Sequence, residues 1–258
     1  MPHFDILKTY DASVSFRAKS IVDLFTIEQG NLAERFKGEI AVEGKDWNIG
    51  LIVGGSGSGK STIARECFGD WLIEGMEYSA ASVIDDMPEG LTAREIAEVF
   101  TSVGFASPPS WLKPYGVLSN GEKMRVDLAR AIMERGDRFA FDEFTSVVDR
   151  RVAQTGSAAI AKAVRKRGGK FVAVTCHHDV AEWLEPDWMY DTDQQRFFFA
   201  RGNGSGLKSG SMFSKLKASG GIKSGRDLPS ITISTTTCTN PRASLSASMT
   251  AKSSRIQA

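Results

Sequence analysis

The chain has 258 residues, is 41% hydrophobic and carries a formal net charge of +1, which is apolar material for one full globular core plus an appendage. No run of about eighteen or more apolar residues occurs, and Met1-Pro2-His3-Phe4-Asp5 lacks the basic-then-apolar order of an export signal, so a cytoplasmic protein without direct membrane insertion is expected. Residues 201–258 hold nine of the 32 Lys and Arg but only Asp227 of the 31 acids, leaving residues 1–200 with 23 basic against 30 acidic side chains, a balance that argues against broad nucleic-acid binding.

Taken in chain order, Val14 to Val22 alternates apolar and polar residues and predicts a half-buried antiparallel strand near the start. Trp47 to Val53 is an apolar run ending in glycines, as a buried strand is before a tight loop. Thr62 to Trp71 reads as helix. Thr92 to Val103 places Ile96, Val99, Phe100 and Val103 on one helical face, with Thr92 and Glu95 spaced as a capping box. Ser107 to Pro114 is a Pro-rich loop. Glu122 to Arg135 is helical by period, Arg138 to Phe141 is a short strand, and Val152 to Arg167 is a helix stopped by Gly168-Gly169. Lys170 to Thr175 is the next apolar strand, followed by a helix near Val180 to Leu184, a break at Pro186 and strand-like pieces at Trp188 to Tyr190 and Arg196 to Phe199. Strands alternating with helices predict an α/β fold with a mostly parallel, doubly wound sheet. Cys67, Cys176 and Cys238 lie far apart with no metal-ligand spacing and read as free thiols.

Gly54-Gly55-Ser56-Gly57-Ser58-Gly59-Lys60-Ser61, followed by Thr62, matches G-x-x-x-x-G-K-[ST] between a predicted strand and a predicted helix. In that pattern the glycines let backbone N–H groups curl around an anion, Lys60 reaches the outer phosphates of ATP and Ser61 ligates Mg²⁺. Phe139-Ala140-Phe141-Asp142-Glu143 has the form of a Walker B strand: Asp142 would hold Mg²⁺ and Glu143 would polarise the attacking water. Acidic residues after a buried strand are common at sheet ends, so this second motif depends on the first for its weight.

Leu118-Ser119-Asn120-Gly121-Glu122-Lys123-Met124-Arg125 resembles the LSGGQ signature of the ABC ATPase superfamily, with Asn120 in place of the usual middle glycine and Glu122 in place of the usual glutamine. The local alternative is an ordinary helix N-cap. The resemblance implies an ABC-type P-loop NTPase fold with an N-terminal antiparallel strand region and a small helical subdomain over about residues 88–135. It implies a homodimer closing head to tail on two ATP–Mg²⁺, in which Ser119 and Gly121 of one chain cap the nucleotide held by the other. Ser146-Val147-Val148-Asp149 is similar to the D-loop, and Asp149 is carried over on that ground. Thr175-Cys176-His177-His178-Asp179 lies where the family places its switch histidine; His177 is preferred, with His178 the alternative. Asp85, in Val83-Ile84-Asp85-Asp86-Met87, takes the place of the glutamine-loop residue and would be a metal ligand. Phe25 and Phe36 are the candidates for an adenine-stacking aromatic, with a core role open for both.

Fifty-seven positions separate Ser61 from Leu118, short for a transporter ATPase of this superfamily. That spacing favours a soluble ATP-driven conformational switch acting on a protein, a nucleic acid or an attached domain. An energy-coupling subunit of an ABC transporter and a non-hydrolysing nucleotide-binding module are the alternatives. Residues 12–195 also loosely resemble soluble ABC ATPases that carry a C-terminal acetyltransferase-like region. The expected organisation is an ATPase domain over residues 1–200 and a low-complexity tail over 201–258. With 13 serines and a single aromatic, Phe213, the tail reads as disordered. It also reads as translated out of frame, because a shifted register with permitted codons turns it into more domain-like peptides.

Overall fold

A computed structural model describes residues 3–10, 15–26, 33–73 and 75–199. The tail and the reading-frame question attached to it lie outside the described residues. Two sheets form. Strands β1 (His3–Thr9) and β2 (Ala33–Glu39) make an antiparallel ribbon, with Lys8 opposite Glu34 and Ile6 opposite Phe36. The larger sheet contains β3 (Ile49–Val53), β4 (Arg138–Phe141), β5 (Lys170–Thr175), β6 (Trp188–Asp191) and β7 (Arg196–Phe199) in the order β4-β5-β3-β6-β7. Its first four strands are parallel and β7 runs antiparallel to β6.

The expected antiparallel strand region is present, but not where alternation placed it. Phe16–Phe25 is a helix, α1, and the ribbon strands lie on either side of it in sequence. Ser15 caps α1 by accepting from the Ala18 N–H at 3.1 Å, and Thr26 ends it in the left-handed region. A stretch of nine residues suits either period, and only burial decides between them. Phe16, Ile21, Leu24 and Phe25 all remain exposed on α1, so no sheet face rewards the alternation. The ribbon escaped notice because Ala-Glu-Arg-Phe-Lys-Gly-Glu is polar and gains its stability from pairing with a distant strand.

The other elements follow the predicted order. Helix α2 spans Lys60–Phe68 and continues as a 3-10 turn through Trp71; α3 spans Ala93–Ser102, α4 Pro108–Trp111, α5 Asn120–Arg135, α6 Arg150–Arg167 and α7 Val180–Leu184. The loop predicted over Ser107 to Pro114 thus contains one short helical turn, begun by proline at its first positions. Thr92 and Glu95 form the expected capping box on α3. Thr92→Ala should lower stability by about 1 kcal/mol in chemical denaturation while leaving the slope unchanged.

Alternation along the buried strands divides the core. Ile49, Leu51, Val53, Phe171 and Ala173 face a cluster shared with α3, α5 and α6. Ile52, Val172 and Val174 face a second cluster with α2, Trp47, Trp188 and Phe4 of β1. Phe4 meets Tyr190 edge to face with centroids 5.6 Å apart, which fastens the ribbon to the sheet. Between α2 and α3, the chain is held without regular structure. Tyr78 and Tyr115 stack at 3.9 Å and both donate to the Asp127 carboxylate, at 2.8 and 2.9 Å, tying residues near 78 and 115 to α5. Burial raises the Asp127 carboxyl above its ordinary range, against the lowering by these two hydroxyls, and pushes both phenols up.

Candidate nucleotide site

Because β3, β4, β5 and β6 are parallel, their carboxyl ends share one edge, where ligands bind in open α/β sheets. Gly54 follows β3, Asp142 follows β4, and His177 lies just beyond β5. Strand β5 lies between β3 and β4, so the two acidic residues reach the loop across one intervening strand.

The loop itself turns through left-handed conformations at Gly57 (φ +79°) and Gly59 (φ +84°). At Gly59 a side chain is excluded twice over, since a Cβ would also lie 2.3 Å from the Phe36 ring. Helix α2 then begins at Lys60, directing its free N–H groups at the space enclosed by the loop. Lys60 is only 7% exposed; its Nζ turns back to donate to the Gly55 carbonyl at 2.6 Å. The Ser58 hydroxyl donates to the same carbonyl at 2.8 Å.

A cavity of about 240 Å³ opens here. Ser56, Gly57, Gly59, Lys60, Ser61 and Thr62 line it from the loop, with Lys8, Tyr10, Glu34 and Phe36 from the ribbon and Glu143 from the end of β4. The structure therefore brings Glu143 to the loop from 83 residues away in the chain. Glu143 has φ +53° and Thr145 φ +68°, left-handed values uncommon for residues with side chains. That turn is over-determined. The Phe144 N–H donates to the Val174 carbonyl at 2.8 Å, Phe144 is fully buried, the Glu143 N–H donates to Asp142 Oδ1 at 2.9 Å, and Ser146 Oγ donates to Glu143 Oε2 at 2.5 Å. Asp142 is half-buried beside it.

His177 and His178 have different surroundings. Burial, then the Arg150 charge, holds the His177 imidazole below its usual range, opposed by the nearby Glu143 carboxylate. His178 Nε2 instead lies 3.6 Å from Asp191 Oδ2. Asp191 is 1% exposed; burial raises its carboxyl, but His178 and the N–H groups of Gln194 and Asp193 outweigh that and leave it below the ordinary range.

Ser119 and Gly121 do not line the cavity of their own chain. Ser119 is the N-cap of α5 and completes a capping box with Glu122, exchanging bonds of 3.4 and 3.0 Å with it. Glu122 also accepts from Ser110 Oγ at 2.8 Å, and these bonds, the Ser119 N–H first, hold its carboxyl below the usual range. Asn120 Nδ2 donates to the Val147 carbonyl at 3.2 Å, joining the Ser119–Gly121 turn to the segment that leads into Asp149. Asp149 caps α6 by accepting from the N–H groups of Arg151 and Val152. Asp85 lies in a surface turn where its carboxylate accepts from Ser82 Oγ, and it is not among the residues lining the loop cavity. Of the two aromatic candidates, Phe36 lies against the loop, whereas Phe25 is 67% exposed on α1.

Four neighbours of the loop escaped the sequence reading. Lys8 Nζ donates to Thr62 Oγ1 at 2.6 Å. Thr192 shares a 2.6 Å hydrogen bond with Ser58, and its N–H donates to the Val53 carbonyl at 2.8 Å. Asp193 accepts from the Gly55 N–H at 2.8 and 3.0 Å, and Asp191 caps the same β6–β7 turn. No local motif announces any of these.

A glycine loop opening a helix, a buried lysine, a hydroxyl and two carboxylates fit a nucleoside triphosphate with a divalent cation, and that arrangement defines a P-loop NTPase. No family model matches the chain. It is 30% identical over 179 residues to YcjV, an uncharacterized ABC transporter ATP-binding protein of Escherichia coli, covering 54% of this chain and 49% of that one. It is 29% identical over 177 residues to UgpC, an sn-glycerol-3-phosphate import ATP-binding protein of Ruegeria pomeroyi, covering 55% and 50%. The chain thus spans about half the length of these curated relatives. Among solved structures, the ATP-binding cassette MJ0796 in a dimeric post-hydrolysis state bound to ADP and Pi matches with a TM-score of 0.55 and 16% identity, over 78% of this chain and 99% of that one. In sequence the chain is similar to ABC-type ATP-binding proteins, and its fold is that of an ABC cassette.

Proposed function

We propose that the chain binds and hydrolyses ATP as the energy-coupling subunit of an ABC transporter, working as a head-to-tail homodimer on the cytoplasmic side of a membrane partner. The observation that carries the hydrolytic part is Glu143 in the wall of the cavity formed by Lys60, Ser61 and Thr62. Bound ATP–Mg²⁺ would supply the phosphoanhydride and the charge neutralisation needed to cleave it. In this reading Gly54 through Thr62 bind the phosphates, Ser61 and Asp142 hold Mg²⁺, and Glu143 orients the attacking water. His177, just beyond β5 and near the Glu143 carboxylate, faces the terminal phosphate. Ser119, Gly121 and Asp149 complete the site of the second chain, in keeping with their absence from the cavity wall of their own. Asp85 keeps its proposed role as a metal ligand only with movement of its surface turn. The names of the relatives favour the transporter reading over the free-standing switch.

One observation keeps the switch as a second reading: a separation of only 57 positions from Ser61 to Leu118, where a membrane partner would dock. Among the described residues no helix is long and apolar enough to cross a membrane, which suits both. Purifying the chain from its native cells separates them. Recovery with an integral membrane protein, whose presence raises ATP turnover, supports the transporter subunit; full turnover by the chain alone, with no membrane partner recovered, supports the switch. Absence of any turnover in both preparations would leave the non-hydrolysing module.

A further inference from the structure

The β1–β2 ribbon contributes to the cavity wall, yet the roles assigned above give it no task beyond the aromatic at Phe36. Residues 4, 6 and 8 share the inward face of β1: Phe4 is buried and Ile6 half-buried. The third inward position is a lysine. Its ammonium is not directed to solvent; Lys8 Nζ donates to the hydroxyl of Thr62 at 2.6 Å, in the first turn of α2 and one residue beyond Ser61. The ribbon that carries it is fastened at both strands, by Phe4 against Tyr190 and by Phe36 against Gly59.

We propose that Lys8 is a second phosphate-binding lysine of the nucleotide site, contacting the inner phosphates while Lys60 serves the outer ones. This rests on the ATP-binding reading and extends it to a strand outside the loop. Placement and charge both support it. Lys60 reaches the outer phosphates, whereas the first-turn N–H groups beside Thr62 cradle the inner ones. The cavity wall holds two lysines, Lys8 and Lys60, and two carboxylates, Glu34 and Glu143. Without Lys8 a polyanion would enter a wall with one cation against two anions, an unfavourable field at these short distances.

The test measures affinity of the full chain for ATP, ADP and AMP in the wild type, Lys8→Met, Lys8→Arg, Glu34→Gln and Lys60→Ala. Lys8→Met should weaken ATP and ADP alike by about tenfold, the range for a charge-assisted hydrogen bond, with Lys8→Arg recovering most of the loss. Glu34→Gln should tighten ADP by about twofold, a gain that a purely structural Lys8–Glu34 pair does not produce. Unchanged ATP and ADP affinity in Lys8→Met, with Lys60→Ala still abolishing binding, overturns the proposal and leaves the ATP reading standing. Weakening of ATP alone overturns the inner-phosphate assignment. Weaker ADP binding by Glu34→Gln overturns the electrostatic account even if Lys8→Met folds poorly. A wild-type chain that binds no ATP overturns the underlying reading itself.

Discussion

Glu143→Gln is expected to leave ATP binding intact while turnover falls by about 10²- to 10⁴-fold, the usual contribution of a positioned general base. The substitution keeps size and shape, and the amide oxygen still accepts from Ser146 Oγ, so the strained turn over Asp142 to Ser146 retains its bond. What is lost is the negative charge facing the loop across the cavity. With hydrolysis blocked, the proposed head-to-tail pair should accumulate in the presence of ATP. Phosphate release and size-exclusion chromatography with and without ATP measure both effects. Turnover equal to the wild type would remove Glu143 from its role. A monomer throughout, with turnover lost, would instead retain the base and discard the trapped dimer.

Phe171→Ala is expected to destabilise the fold by about 3–5 kcal/mol, measured as a lower urea midpoint with an unchanged slope. Phe171 is fully buried on β5, with its ring 4.9 Å from Phe139 and 5.5 Å from Phe144. The interior cannot collapse easily around the loss, because both partners are held by strand pairing and by the Phe144 backbone bond to Val174. Phe144 also anchors the turn that presents Glu143, so near the unfolding midpoint turnover should decline in step with the folded fraction. Phe16→Ala on α1 is the contrast. At 86% exposure it should change stability by less than about 0.5 kcal/mol.

How well each element can be read from the sequence follows the range of the contacts that decide it. Arg138 to Phe141, Lys170 to Thr175 and Val180 to Leu184 are legible to the residue, and Gly168 ends α6 where the glycine pair predicts, since apolar runs and caps act within one or two turns. The ribbon is not legible. Glu34 and Phe36 become strand residues only through partners nearly thirty positions away, and the alternating stretch at Val14 to Val22 is as compatible with the capped helix it forms. The site divides in the same way. The loop from Gly54 to Thr62 announces itself, whereas Lys8 lies 54 positions from Thr62, and Thr192 and Asp193 lie 134 and 138 from the loop residues they brace.

The sequence by itself therefore determined the phosphate loop, the helix that follows it and the strand ending in Asp142-Glu143. In each, glycine conformational freedom, hydrophobic period or capping chemistry acts over a few residues. Only the tertiary structure decided that β5 lies between β3 and β4, that Glu143 reaches the loop, that His178 lies beside Asp191, and that a lysine from the first strand rests on Thr62. Those facts depend on which strands pair and which side chains share one edge of a sheet. Long-range burial and hydrogen bonding set that arrangement.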